Sequence, residues 1–148
     1  QDTIVVDSNK LEFMQKIAQK MLEELDLQAF DLGIFLCDAQ YIWDLNKRYR
    51  EKDMPTDILS FPMFPDLKAG DMPIVVDQDC KDLGDLIIYL DRVEDDAKEL
   101  NVPIRQYLKK LLSHGISHLL GYDHYTEEAH QEMLPMEKRL VQVCKDIE

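Results

Sequence analysis

The sequence is short of positive charge. Its 148 residues hold 17 Lys and Arg against 30 Asp and Glu, a formal net charge of −13. Phosphate binding needs local positive potential, so the average surface argues against a nucleic-acid partner. An average does not exclude a basic cleft on an acidic protein. Long apolar runs are also missing. None approaches the roughly 20 residues that span a bilayer, so no membrane segment is expected. No signal peptide is expected at the start of the chain. The cysteines Cys37, Cys80 and Cys144 are odd in number, far apart, and form no Cys-x2-Cys pair. They read as reduced thiols of a cytosolic protein, packed as core residues. There is no internal repeat and no low-complexity tract.

What is present is concentrated. Three of the four histidines lie in eleven residues, His114 to His124. His114 and His118 are four apart, so on a helix they stack on one face. Gly121 is suited to ending that helix, because it enters the left-handed conformation without a Cβ penalty. The chain then turns back and brings His124 to the same point. Three imidazoles with a fourth position left open form the catalytic type of zinc site; a structural site closes all four. A third histidine at this offset favours a metal site over three satisfied core histidines. The spacing His-x3-His-x2-Gly-x2-His is that of the metzincin proteases. Gly115 stands where those enzymes carry their general-base glutamate. His130 sits in a charged stretch and reads as a surface residue.

The chain is long enough for one domain with a real core. Residues 3–6 are β-branched and read as a first strand. Leu11, Met14, Ile17, Ala18, Met21, Leu22 and Leu25 recur every three or four positions, which predicts a helix from Lys10 to about Asp26. A buried strand is expected over 31–37. A helix follows at 39–50 with Asp38 as its cap and a basic end, Lys47, Arg48 and Arg50. Those cations suit a helix C-terminus and equally a substrate-facing role. Ile58–Phe61 reads as a strand that Pro62 ends. Residues 62–82 are irregular, with a short strand expected at Ile74–Val76, and the length of the stretch suggests a lid or binding loop. Asp66, Asp71, Asp77 and Asp79 lie there as possible fourth ligands. A strand at Leu86–Leu90 and a helix capped by Asp91 follow. The central helix is expected from Pro103 to Leu120. Asp123 is placed either to orient a ligand imidazole or to cap the next helix. The last helix, about 126–146, contains Pro135, which predicts a kink or break near Glu132–Leu134. The sum is an α+β single domain over residues 1–148, with a small mixed sheet of about four strands and about five helices.

The stretch His114-Gly115-Ile116-Ser117-His118-Leu119-Leu120-Gly121-Tyr122-Asp123-His124 resembles the signature of the YbeY family, the bacterial endoribonucleases also known as rRNA maturation factors. It departs at Ser117, where leucine is usual. A second block is similar to the family pattern: Asn46-Lys47-Arg48-Tyr49-Arg50, then Pro55-Thr56-Asp57-Ile58-Leu59-Ser60-Phe61-Pro62. Gly84-Asp85-Leu86-Ile87-Ile88 resembles a third. The blocks keep family order over residues 46–124.

This resemblance implies one zinc ion per chain, held by His114, His118 and His124. It implies metal-dependent hydrolysis of single-stranded RNA, used in ribosomal RNA maturation and ribosome quality control in the cytoplasm. Arg50 matches the family's functional arginine and is the expected catalytic residue. Asn46, Lys47 and Arg48 are candidate substrate contacts, and Asn46 competes as a helix brace. The general base stays open among zinc hydroxide, Asp123 and the RNA's own 2′-hydroxyl. Small-ribosomal-subunit proteins are expected partners. The alternatives are a non-catalytic, zinc-stabilised ribosome-assembly factor and a zinc peptidase.

Overall fold

A computed structural model describes residues 7–74 and 81–148. Helix α1 (Ser8–Glu24) begins where the Asp7 carboxylate accepts from the Lys10 amide at 3.1 Å, satisfying an orphan donor of the first turn. Strand β1 (Asp31–Cys37) leads to α2 (Ala39–Arg50), capped as expected by Asp38, which accepts from the Tyr41 amide at 2.9 Å. Then come β2 (Ile58–Pro62), β3 (Asp82–Tyr89), α3 (Leu90–Glu99), α4 (Ile104–Leu119) and α5 (Glu127–Gln142).

The sheet order is β1-β3-β2, with β3 parallel to β1 and antiparallel to β2. Alternation along β3 splits its side chains between two faces. Leu86 and Ile88 join Leu36 in the main core, together with α1, α4 and Leu140 of α5. Ile87 points the other way and packs with Cys37, Leu59 and Ile42 of α2. Helix α4 is the most enclosed of the helices. Leu108, Leu112, Ile116 and Leu119 are fully buried, and each such side chain contributes about 1.5–3 kcal/mol.

The α+β reading holds, with corrections. Among the described residues the sheet has three strands rather than about four. The expected strand at 3–6 and positions 75–76 of the other lie outside the described residues, and Ile74 is exposed coil. Pro62 ends β2, as expected. It pairs opposite Gly84 as the last residue of an edge strand, where a missing N–H costs no ladder bond. Asp91 sits in the first turn of α3, whose N-cap is Tyr89, and Pro103 is the N-cap of α4 rather than its first residue. Helix α5 runs unbroken through Pro135. Met133 and Leu140, buried on either side of the proline, anchor both halves and offset the missing rung. The described part of the 62–82 stretch is pinned rather than free. Phe64 and Leu67 pack on the main core, and the Met63 amide donates to the Leu83 carbonyl at 3.0 Å.

Candidate metal centre

Helix α4 presents His114 and His118 outward while their neighbours turn in. Ser117 is fully buried and donates to the Ser113 carbonyl at 2.7 Å, so the departure from leucine falls on the core side and not in the site. Gly115 is buried too. A Cβ there would stand 2.9 Å from Leu86 Cδ2 and 3.0 Å from Ile58 Cδ1. The glycine lets α4 lie directly on the sheet. A side chain at 115 meets β2 and β3, not the histidines.

The helix ends as the sequence suggested. Gly121 has φ +94°. Its amide donates to the His118 carbonyl and the Tyr122 amide to the Ser117 carbonyl, both at 3.1 Å, which is a Schellman closure. A Cβ at 121 would also collide with the backbone carbonyl of Leu67. Two constraints therefore select glycine. Gly121→Ala is expected to lower stability by about 2–4 kcal/mol, from left-handed strain plus overpacking. Because the same turn delivers His124, it is also expected to weaken metal uptake. Chemical denaturation and chelator competition on the same preparation check both; a stability within 0.5 kcal/mol of wild type, as an order-of-magnitude bound for a harmless surface change, would remove the constraint.

The turn brings the third imidazole home. Ring centroids are 4.5 Å apart for His114–His118, 5.5 Å for His114–His124 and 5.3 Å for His118–His124. One ring nitrogen of each lies within 4.8 Å of the others, and the Nε2 atoms of His114 and His118 are 3.1 Å apart. Around a tetrahedral zinc with bonds of about 2.0–2.1 Å, ligand nitrogens sit roughly 3.3 Å apart. The donor set thus fits a borderline-soft divalent ion. Protonation favours it as well. Burial, with His114 and His124 beside it, holds the pKa of His118 down to about 4, against partial support from the Tyr122 backbone and Asp123. Its ring is neutral at physiological pH, with a lone pair to give.

One contact was not legible in the sequence. Glu137, on α5, places Oε2 2.6 Å from His114 Nδ1. The sequence had offered Asp123 for such a role. Asp123 instead accepts from the Tyr125 amide at 3.1 Å and shapes the turn before α5, whose own N-cap is Thr126. Glu137 lies 23 residues from His114 on a different helix, so no spacing rule pairs them. Of the proposed fourth ligands, Asp66 and Asp71 are not in the histidine cluster, and Asp77 and Asp79 lie outside the described residues. His130 is also outside the cluster, as expected, and partly exposed.

The second block lies along α2 and the edge strand β2. Arg50, at the end of α2, donates through one guanidinium nitrogen to the Ser60 carbonyl at 2.7 Å and through the other to its neighbour Tyr49's carbonyl at 3.3 Å. Its guanidinium lies 5.1 Å over the Phe61 ring. Ser60 in turn turns its hydroxyl to the Gly115 carbonyl at 3.4 Å. A short chain of contacts thus runs from Arg50 across the edge strand to the helix turn that carries His114. Among the described residues Arg50 forms no ion pair.

A family model described as endoribonuclease YbeY matches residues 1–145. The chain belongs to the YbeY family. Relatives named endoribonuclease YbeY include one from Treponema denticola, 36% identical over 137 residues, covering 91% of this chain and 84% of the relative. One from Aquifex aeolicus is 41% identical over 111 residues, covering 75% and 67%. The human one is 36% identical over 133 residues, covering 90% and 75%. The solution structure of a Thermotoga maritima protein superposes with a TM-score of 0.61 at 25% identity, covering 94% of this chain and 84% of that one.

Within this YbeY-family fold the candidate substrate residues separate. Lys47 is exposed and only loosely paired with Asp53 at 3.9 Å, and Arg48 is exposed, 6.0 Å over the Tyr49 ring. Both lie on the same last turn of α2 as Arg50. Asn46 does not join them. It is 3% exposed and donates its amide to the Met54 carbonyl at 2.8 Å. This is a correction to its reading as a substrate contact: the side chain braces the turn after α2, and that turn holds Arg50 at the sheet edge. Thr56 and Asp57 are likewise turn residues, with Asp57 Oδ1 accepting from the Ile58 amide at 2.8 Å.

Proposed function

We propose that the chain is a zinc-dependent endoribonuclease that cuts single-stranded RNA. The observation that carries the reading is the convergence of three imidazoles, with Arg50, which no carboxylate neutralises among the described residues, linked through Ser60 to the helix turn that carries His114. The relatives' shared name supplies the substrate class.

His114, His118 and His124 would hold the ion. When bound, zinc supplies Lewis-acid polarisation and acidifies water. Arg50 binds the phosphate: its fork is oriented by two neutral carbonyls and the Phe61 face, so its charge is free for an anion. That charge is worth most where negative charge builds in the transition state. Lys47 and Arg48 extend the positive strip along the backbone. Tyr49, exposed on the same helix end, and Tyr125, 79% exposed beside His124, offer ring faces for unstacked bases. Bases are free to use such faces in a single strand and not in a duplex.

We extend the proposal to ribosomal RNA maturation and ribosome quality control in the cytoplasm, with small-subunit proteins as partners. These follow the family resemblance. The net charge of −13 supports a need for a placing partner, because it weakens unassisted RNA capture.

The test is cleavage of an end-labelled single strand beside its duplex. Wild type is expected to cut the single strand and spare the duplex, to stop on chelation, and to resume with added zinc. His114→Ala is expected to lose both ion and cleavage. Equal cutting by wild type and His114→Ala would reveal a contaminating nuclease and favour the assembly-factor reading.

A further inference from the structure

We infer that Glu137 is a positioning residue of the metal centre: its carboxylate selects the tautomer of His114 and fixes the plane of that ring. The inference rests on the metal reading above and goes beyond it, to a residue outside the histidine signature.

The geometry is specific. Glu137 Oε2 lies 2.6 Å from His114 Nδ1, at the short end for a hydrogen bond to a carboxylate. A carboxylate only accepts, so Nδ1 carries the proton and the lone pair is left on Nε2. Nε2 is the His114 atom that stands 3.1 Å from His118 Nε2, on the side where the imidazoles converge. The opposite tautomer would aim an N–H into the site and repel a cation. A neutral imidazole in water has no such fixed choice. Glu137 imposes it.

The contact is also built. The Glu137 side chain is 21% exposed and the His114 side chain 33%, so both are partly withdrawn from solvent. Among the described ion pairs Glu137 has no Lys or Arg partner; the adjacent Arg139 goes to Glu24 at 2.7 Å. Helix α5 is held on the core by Met133 and Leu140, which bracket Glu137 in sequence. A ligand imidazole braced by a carboxylate on a separately anchored helix keeps its orientation without the ion. Loss of such a brace typically lowers metal affinity 10–100-fold.

The test uses metal-free protein and zinc alone. Glu137→Gln keeps size and hydrogen-bonding reach, but its amide accepts or donates and so selects no tautomer. Glu137→Ala removes the contact. Nitrogen-15 imidazole spectra of metal-free wild type are expected to show His114 protonated on Nδ1. Both variants are expected to show a mixture of tautomers. Zinc affinity, from competition with a chromophoric chelator, is expected to fall about 10–100-fold in both, and Glu137→Asp to recover part of it. A purely structural salt link predicts something else: Glu137→Ala melts earlier while tautomer and affinity in Glu137→Gln stay at wild-type values. That result overturns the inference. Failure of wild type itself to take up zinc would overturn the metal reading and this inference with it. Equal zinc binding by wild type and both variants would overturn this inference alone.

Discussion

Arg50→Ala is expected to lower single-strand cleavage by about 10²–10³-fold, the usual effect of removing one preorganised group that stabilises transition-state charge. Zinc content is expected to stay at one ion per chain. The reason lies in how Arg50 is held. Its hydrogen bonds go to the Ser60 and Tyr49 carbonyls and, among the described residues, to none of the three histidines. Its removal therefore leaves the imidazoles where they are. Stability is expected to fall by only about 0.5–1.5 kcal/mol, since the lost hydrogen bonds are exposed. Arg50→Lys keeps the charge but loses the planar fork and the stack on Phe61, so it is expected to fall between the two. Cleavage rate, zinc by elemental analysis and melting temperature, measured on one preparation, separate these effects. Full activity in Arg50→Ala would remove the arginine from the mechanism. Loss of zinc along with activity would make it a structural residue instead.

Gly115→Glu is expected to destroy the fold rather than create a peptidase. The substitution restores the glutamate that the metzincin spacing lacks, and on sequence alone it looks like a gain. In the structure the new Cβ meets Leu86 and Ile58 at about van der Waals overlap, inside the contact between α4 and the sheet. The carboxylate would be buried among apolar side chains with no partner. Overpacking costs about 1–3 kcal/mol and an unpaired buried charge several more. Against a typical total of about 5–15 kcal/mol, that is most of the stability. Circular dichroism and gel filtration of the variant are expected to show an unfolded or aggregated chain. A folded, zinc-loaded Gly115→Glu protein would show that α4 can lift from the sheet, and would reopen the peptidase alternative.

The same residues mark how far the sequence can be read. The histidine triad was legible because all its members are local. His114 and His118 share a helix face, and one glycine turn returns His124. Local spacing obeys helix geometry, and helix geometry is known before folding. Asp38 as cap of α2 and the apolar stripe of α1 were legible for the same reason. Pro62 ended β2 as expected, whereas Pro135 did not break α5, because proline rules describe an average context. An edge position spared β2 a lost bond, and packing on both sides carried α5 across the gap. Asn46 stood in a block full of cations and left two readings open, a substrate contact and a helix brace. Its burial follows from the turn it braces, which the sequence does not display.

By itself, then, the sequence determined most of the elements, the α+β class and the three clustered imidazoles, because each rests on periodicity or on spacing within a short stretch of chain, while the family was carried by the resemblance of three blocks over residues 46–124. The tertiary structure alone decided three other things. It linked Arg50 through Ser60 of the edge strand to the Gly115 carbonyl, in the helix turn that carries His114. It made position 115 a contact surface and not a catalytic one. It brought Glu137 from α5 to His114. Each depends on how separate elements pack, and packing distances between residues far apart in the chain are carried by no local pattern.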